Sequence, residues 1–391
     1  MKRSRWDTDP SPPKPPPSAP KSRWDTQVPS SKSPASRSSS PVPPPSSAPS
    51  APSAPSAPSA PYKRPQPLTF GCHSVENYER LSHIDEGTYG IVWKARSLKT
   101  NSLVALKQLK FPESESQAVG FPVAALREIS VLQDLSHPHI LSTHEMVIGS
   151  TSSKVFMVMN LMSCDVKVAI ERLPEVMSQG EAKSVMWQLV SAVEYMHGKF
   201  YLHRDLKTSN VLVSRDTGKV SICDFGLARK YEIPLKSYTQ MVITLWYRCP
   251  ELLLGETLYG PEVDMWSLGC MFAEILNLEV LFQGQGEVDQ LNRIFKLLGV
   301  PNGGNWEGFE KLPHANTFSF KGPKGSKLRE AFPSNSFSGK TYLNDGGFDL
   351  LSRMLSKDPK KRISAGDAAK HHYFTEAPKM TEVRWVFDDE K

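Results

Sequence analysis

The stretch that decides the fold reads His203-Arg204-Asp205-Leu206-Lys207-Thr208-Ser209-Asn210, and Asp224-Phe225-Gly226 follows it. Asn210 lies five residues after Asp205, close enough for one loop to direct both side chains into one site. Asp224 follows Asp205 by 19 residues. Carboxylate and amide oxygens are the ligands that Mg²⁺ prefers. The spacing therefore predicts a site that combines a reactive carboxylate with ligands for a cation.

Two short apolar runs separate these motifs. Residues 211–213 and 220–223 are rich in valine and isoleucine, and a turn sequence lies between them at 216–218. Such runs predict the two strands of a β-hairpin. The hairpin would carry Asn210 at one end and Asp224 at the other. A charged surface loop is the alternative interpretation, which the presence of both ordered motifs disfavours.

Charge is uneven along the 391 residues. Residues 1–77 hold ten of the 47 Lys and Arg and four of the 41 Asp and Glu, so the net charge of +6 belongs to this leader. The remainder is balanced, and we expect no direct nucleic-acid binding by the folded part. The five cysteines lack C-x-x-C spacing, which argues against a zinc site or disulfide frame and is typical of a reducing compartment.

Neither a membrane span nor a secretory leader is expected. No apolar run approaches the roughly 18 residues that a membrane helix needs. The charged start, Met1-Lys2-Arg3-Ser4-Arg5-Trp6, has no apolar stretch behind it and does not resemble a signal peptide.

The leader, residues 1–77, holds about twenty of the 33 prolines together with many serines. This composition predicts a disordered tail with polyproline-like stretches. Ser-Arg-Trp-Asp-Thr occurs at 4–8 and again at 22–26, which indicates a docking motif around Trp6 and Trp24. A local duplication without function is the alternative. The prolines also allow recognition by SH3- or WW-type domains.

An ordered domain is expected from about Tyr78. Residues 78–84 and 91–95 predict two strands, and the turn between them contains Gly87 and Gly90. Glycines there let the backbone approach phosphates closely, although Asp85 replaces the first glycine of the usual pattern. The next predicted strand ends on Lys107 in Val-Ala-Leu-Lys, where a lysine would hold phosphates. A solvated strand face is the alternative for this lysine.

A helix is predicted to open at Pro122 and to carry Glu128 as the ion-pair partner of Lys107. Residues 155–159 predict a buried strand, after which residues 160–162 would form a hinge. Met159 would lie at the back of a nucleotide pocket.

The rest of the chain is predicted to be mainly helical. Helical periodicity resumes at Glu181, and an apolar helix from Asp264 is expected at the centre of this part. Residues 299–347 predict an irregular insertion, and the domain should close near Phe374.

Taken together, the motifs resemble the protein kinase signature over residues 78–374. The sequence is most similar to cyclin-dependent kinases of the PITSLRE type. The similarity rests on the runs 87–90 and 244–248, the helix start 122–128, the hinge 158–160 and the stretch 234–239. Val123, Ala124 and Ala125 depart from that type.

The resemblance implies an α+β, two-lobed fold with a lobe of strands at about 78–160, a helical lobe at about 163–374 and a C-terminal tail at 375–391. It implies ATP and Mg²⁺ as cofactors, and Asn210 and Asp224 as metal ligands. The implied catalytic residues are Asp205, Lys207, Asn210 and Thr244. The implied ATP-binding residues are Ile84, Gly87, Gly90, Val92, Ala105, Lys107, Glu128, Met159, Asn160, Met162, Asp165 and Leu212.

The resemblance also implies regulation and partners. Thr239 would be the activating phosphosite, with Arg127, Arg204 and Arg229 as its partners, and Thr88 and Tyr89 would be inhibitory phosphosites. A nuclear serine/threonine kinase that binds an L-type cyclin and acts in transcription, splicing or cell-cycle control is expected. Its substrates would carry proline after the phosphorylated residue, because Val242 and Ile243 would shape the pocket there. A pseudokinase or scaffold that presents the tail is the alternative.

Overall fold

The structure is a computed structural model that describes residues 71–86, 90–109, 123–150, 154–238, 243–335 and 342–387. Its first lobe is dominated by strands and its second by helices. The predicted α+β class with two lobes is confirmed.

The first lobe contains a sheet whose six described strands are arranged in the order β1-β5-β6-β4-β3-β2. The strands are β1 His73–Ser74, β2 Tyr78–Glu86, β3 Gly90–Ser97, β4 Leu103–Leu109, β5 Thr143–Ile148 and β6 Val155–Asn160. All neighbours are antiparallel except β1 and β5. The central strand β6 is buried from Val155 to Met159. Its continuous apolar sequence suits a strand covered on both faces.

Helix α1, Val123–Asp134, packs against this sheet. Ala125 forms a small core with Leu109 and Val155, and Val131 and Leu132 extend into the main core. The buried residues of α1 therefore recur at the helical period, and this determines which face of α1 is directed toward the sheet.

The second lobe is built around α3, Gln179–Gly198, and α5, Glu262–Asn277. Ser178 and Glu181 form a capping box at the start of α3. Fourteen of the 16 residues of α5 are buried, so α5 is the central helix predicted from its composition. The remaining helices are α2 Val166–Glu171, α4 Pro250–Leu253, α6 Glu287–Leu298, α7 Leu328–Ala331, α8 Asp345–Met354 and α9 Ala365–Ala369.

The second lobe also contains short strands that form two small sheets. β9, Val211–Val213, pairs antiparallel with β10, Val220–Ile222, and with β7, Cys164–Asp165. β8, Tyr201–Leu202, pairs with β11, Arg229–Lys230. The β9–β10 hairpin is the one predicted from the sequence, and it separates Asn210 from Asp224 as expected.

The described structure extends beyond both ends of the predicted domain. Before Tyr78, β1 pairs with the outer edge of β5, which would otherwise expose unpaired backbone groups. After Phe374, residues 375–387 form no helix or strand, yet Val383, Trp385 and Phe387 pack on the main core. The sequence did not predict order in either segment, because β1 has only two residues and the spacing of two between Val383, Trp385 and Phe387 is too short a repeat to indicate an element.

Candidate active site

A cleft of about 720 Å³ contains most of the predicted ATP-binding residues. Its lining includes residues of β4, β6, β7 and β9. Eleven of the twelve residues line it: Ile84, Gly90, Val92, Ala105, Lys107, Glu128, Met159, Asn160, Met162, Asp165 and Leu212. The twelfth, Gly87, lies outside the described residues. The cleft also contains Asp205, Lys207, Asn210 and Asp224.

Lys107 on β4 and Glu128 on α1 form an ion pair inside the cleft. Lys107 Nζ donates to Glu128 Oε1 at 2.6 Å, and the side chains are 13% and 4% exposed. Burial alone would lower the pKa of Lys107, but the charges of Glu128 and Asp224 outweigh it and raise that pKa. The lysine therefore stays charged and fixes α1 against the sheet.

The carboxylate of Asp205 is held on both oxygens. Oδ1 accepts hydrogen bonds from the backbone nitrogen and the hydroxyl of Thr244 at 3.0 and 2.8 Å. Oδ2 accepts from Lys207 Nζ at 2.8 Å and from Asn210 Nδ2 at 3.0 Å. Lys207 also donates to the Thr244 hydroxyl at 3.1 Å. All four predicted catalytic residues are thus brought together.

These contacts keep Asp205 ionised. Burial alone would raise its pKa, but the hydrogen bond and charge of Lys207, with the Thr244 hydroxyl, lower it. An ionised carboxylate at neutral pH can orient a hydroxyl and accept its proton.

Asp264 at the start of α5 positions the loop that carries Asp205. It is fully buried and accepts from the backbone nitrogens of His203 and Arg204, each at 2.9 Å. His197 of α3 binds the same carboxylate at 3.0 Å. Arg204 has a left-handed φ of 66°, and these bonds offset the strain of that conformation.

Asn210 and Asp224 present the oxygen atoms that a hard cation requires. The Asn210 amide nitrogen donates to the backbone oxygen of Asp205 at 2.8 Å as well as to its carboxylate, so its amide oxygen is the atom left for a ligand. Asp224 has a left-handed φ of 60° and lines the same cleft. Both residues are therefore suited to Mg²⁺.

Two of the three arginines that are predicted to bind the phosphothreonine contact the backbone of residues 226–227. Arg127 donates to the Gly226 oxygen at 2.9 Å, and Arg204 donates to the Leu227 oxygen at 2.9 Å. Arg229 belongs to the exposed strand β11. Arg204 also donates to the hydroxyl of Tyr259 at 3.0 Å.

Several predicted residues lie outside the described residues: Thr88, Tyr89, Thr239, Val242, Trp6 and Trp24. Their assigned roles stay predictions.

Sequence reasoning missed several residues of the site. The cleft is also lined by Leu141, Cys164, Ser209 and Cys223. Asp264 does not line the cleft but binds the backbone of the loop that carries Asp205. Burial raises the pKa of the Cys223 thiol, which favours the protonated and less nucleophilic form at neutral pH. The available signal for Asp264 was a charged residue near the start of a predominantly apolar helix.

Two features are absent from the described residues. They contain no group of three or more His, Cys, Asp or Glu side chains that could hold a metal ion. No helix in the described ranges is long and apolar enough to cross a membrane.

Comparison with known proteins defines the class. A family model for the protein kinase domain matches residues 78–374, more than half of the chain, so the chain belongs to the protein kinase family. The catalytic loop and the cleft described above lie within this match.

The similar proteins narrow the class. Cyclin-dependent kinase G-2 of Oryza sativa subsp. indica is 49% identical over 308 residues, which is 79% of this chain and 43% of the relative. Cyclin-dependent kinase 11B of Homo sapiens is 45% identical over 312 residues, which is 80% of this chain and 38% of the relative. The chain thus spans less than half the length of these relatives. The predicted resemblance to PITSLRE-type cyclin-dependent kinases is confirmed.

Proposed function

We propose that the chain is a cyclin-dependent serine/threonine kinase that transfers the γ-phosphate of ATP to a serine or threonine followed by proline. The observation that carries the proposal is the carboxylate of Asp205, held by Lys207, Asn210 and Thr244 beside a nucleotide-sized cleft. A pseudokinase would not need to hold these groups ready for chemistry.

The chain's own residues account for the transfer. Asp205 orients the attacking hydroxyl and accepts its proton as the oxygen bonds to the γ-phosphorus and ADP leaves. Lys207 lies next to Asp205 and balances negative charge on the transferred group. Lys107 holds the other phosphates and is kept in place by Glu128.

Mg²⁺ fits the oxygen donors of Asn210 and Asp224, and we assign these residues to hold it. When bound, the ion neutralises charge on the phosphates.

The backbone at Ile243 supports the proposed preference for proline. This residue has a left-handed φ of 67°, and its carbonyl accepts from Arg248 Nε at 3.2 Å and Nη2 at 3.0 Å. Because that carbonyl is engaged, a substrate N–H beside it lacks this acceptor. Proline has no such N–H, whereas other residues leave a donor unpaired at a cost of about 1–3 kcal/mol.

The partners and location are proposed from the resemblance. An L-type cyclin would bind at α1, and the similarity to cyclin-dependent kinases supports a cyclin partner in general. The nucleus is the proposed location, with splicing or transcription proteins as substrates. Residues 1–77 would recruit a splicing-factor domain through Trp6 and Trp24.

Steady-state kinetics of the full chain, purified with its cyclin, test this function. A Ser-Pro peptide should be phosphorylated with a kcat/KM about tenfold to a hundredfold above that of the matched Ser-Ala peptide. Omission of Mg²⁺ should abolish transfer. An inactive cyclin-bound chain would favour a scaffold, while equal use of both peptides would remove the proline preference alone.

A further inference from the structure

A buried carboxyl group lies directly below the catalytic loop. Glu274 belongs to α5 and is 2% exposed. Its Oε1 accepts from the hydroxyl of Thr208 at 2.9 Å, and its Oε2 accepts from the hydroxyl of Tyr247 at 2.7 Å. The two hydroxyl oxygens are 3.2 Å apart, so the three groups form one compact buried cluster.

The two hydroxyls come from the two loops that meet at Asp205. Thr208 follows Lys207 and begins the 3-10 helix Thr208–Asn210. Tyr247 ends the 3-10 helix Leu245–Tyr247, and its backbone nitrogen donates to the Thr244 oxygen at 2.9 Å. Lys207 and Thr244 are the groups that bind the two oxygens of Asp205. Glu274 therefore binds both loops within a few residues of those contacts.

The protons in this cluster can be counted. Each hydroxyl has one hydrogen, and an ionised Glu274 uses both of them. Burial raises the pKa of Glu274, and burial together with the charge of Glu274 raises that of Tyr247, so the phenol remains a donor. If Glu274 is protonated, it donates a hydrogen bond to one of the two hydroxyls. That hydroxyl can then donate its own hydrogen bond to the other hydroxyl, whose oxygen is 3.2 Å away. The carboxyl group holds both hydroxyls in either state.

We propose that Glu274 and the hydroxyls of Thr208 and Tyr247 act as positioning residues for phosphoryl transfer. By joining both loops to the rigid helix α5, the cluster fixes the distance between Lys207 and Thr244, and thereby the orientation of Asp205. None of the three lies among the described residues that line the nucleotide cleft. Loss of a hydroxyl should therefore slow transfer without weakening ATP binding.

Paired substitutions in the full chain with its cyclin test the proposal. Thr208→Val keeps the side-chain shape and removes the hydroxyl, whereas Thr208→Ser keeps the hydroxyl. Thr208→Val should lower kcat about tenfold and change KM for ATP by less than about twofold, and Thr208→Ser should recover most of that loss. Tyr247→Phe should lower kcat to a similar extent as Thr208→Val. In the double variant, the fold decrease in kcat should be smaller than the product of the two single decreases. Thr217→Val, in the exposed turn of the β9–β10 hairpin, is the matched control.

The results separate positioning from simple stability. Rates are expressed per ATP-competent site, measured by binding of a non-hydrolysable ATP analogue, and Tm is recorded for each variant. An unchanged kcat per site in Thr208→Val, whatever its Tm, would overturn the proposal, as would a Thr208→Ser variant as slow as Thr208→Val. If Thr208→Val does not fold, Tyr247→Phe decides by the same kcat criterion. Since the test uses the proposed kinase activity, an inactive wild type rejects that activity, whereas an active wild type with unaffected variants rejects the positioning role alone.

Discussion

The guanidinium of Arg384 binds the carboxylate of Glu181 across 203 residues of sequence, with Nε 3.0 Å from Oε1. Glu181 is also part of the capping box that begins α3. Nearby, Trp385 Nε1 donates to the Gly218 oxygen at 2.9 Å, in the turn of the β9–β10 hairpin. Residues 375–387 therefore connect the start of α3 with the hairpin that separates Asn210 from Asp224.

We predict that Arg384→Gln lowers the free energy of unfolding by less than about 1 kcal/mol. The Arg384 side chain is 72% exposed, and exposed ion pairs contribute little. Hydrogen–deuterium exchange should nevertheless increase in residues 379–387 and at Gly218, because the end of the chain loses its anchor. Arg293→Gln, which breaks the exposed pair with Asp289, is the matched control. Unchanged exchange in the tail of Arg384→Gln would show that Trp385 suffices to hold it.

The Glu181 pair should also make stability depend on pH. Burial would raise the pKa of Glu181, but hydrogen bonds from Arg384 and Ser178 lower it to about 2, below the ordinary value of 4.5. A lowered pKa means that the stabilisation is present above pH 4.5 and is lost as the pH falls toward 2. In urea unfolding, the stability difference between wild type and Glu181→Gln should narrow as the pH falls from 5 toward 3. A difference that stays constant over this range contradicts the prediction.

The extent to which the site could be predicted depended on separation along the chain. The hairpin with Asn210 and Asp224 at its ends follows from two short apolar runs and one turn, all within 20 residues. The kinase motifs predict an ion pair between Lys107 and Glu128, and in the structure Lys107 Nζ lies 2.6 Å from Glu128 Oε1. Local pattern and known motifs thus located the reacting groups.

The supporting contacts could not be predicted in this way. Asp264 binds the backbone at residues 203 and 204, and Glu274 binds Thr208, over separations of 60 residues or more. The spacing of apolar residues predicts α5 as a buried helix, but this spacing assigns no partner to a polar residue on such a helix. The partner exists only once the loops have been folded onto α5. The same holds for Glu181 and Arg384.

We predict that Asp205→Asn lowers kcat by about a thousandfold while the protein remains folded. The amide keeps the size of the side chain but cannot accept a proton, and it loses the charge that pairs with Lys207. Lys107→Met should be similarly inactive because it removes the phosphate-binding cation. Peptide phosphorylation by the cyclin-bound chain is the measurement, with Asp216→Asn in the exposed hairpin turn as the control. Near-normal turnover of Asp205→Asn would refute the assignment.

Phosphorylation of Thr239 should activate the enzyme through Arg127 and Arg204. A phosphothreonine carries close to two negative charges, which arginine pairs with best. These arginines already bind the backbone oxygens of Gly226 and Leu227, close to Asp224, for which we propose a metal-binding role, so a phosphate held by both would order that segment. Thr239→Ala should reduce kcat/KM at least tenfold, and Arg127→Ala should diminish the gain from phosphorylation. Equal activity of phosphorylated and unphosphorylated wild type would count against this role.

The repeated Ser-Arg-Trp-Asp-Thr predicts that residues 1–77 bind a protein domain through Trp6 and Trp24. One buried indole supplies a large contact area, and the neighbouring Arg5 and Arg23 provide salt-sensitive attraction to an acidic surface. Two copies on one chain raise the apparent affinity only if the partner offers two sites.

Affinity purification of the full chain from nuclear extract tests this, with splicing proteins quantified by mass spectrometry. The Trp6→Ala/Trp24→Ala double variant should lose splicing partners at least tenfold relative to wild type, while cyclin recovery should stay constant because we propose that the cyclin binds at α1. Each single variant should retain part of the binding if both copies contribute. Deletion of the Ser-Ala-Pro repeats at 47–61 is the control for the proline-rich sequence. The docking would be assigned to the prolines instead if the deletion variant lost these splicing proteins while the tryptophan double variant still recovered them fully.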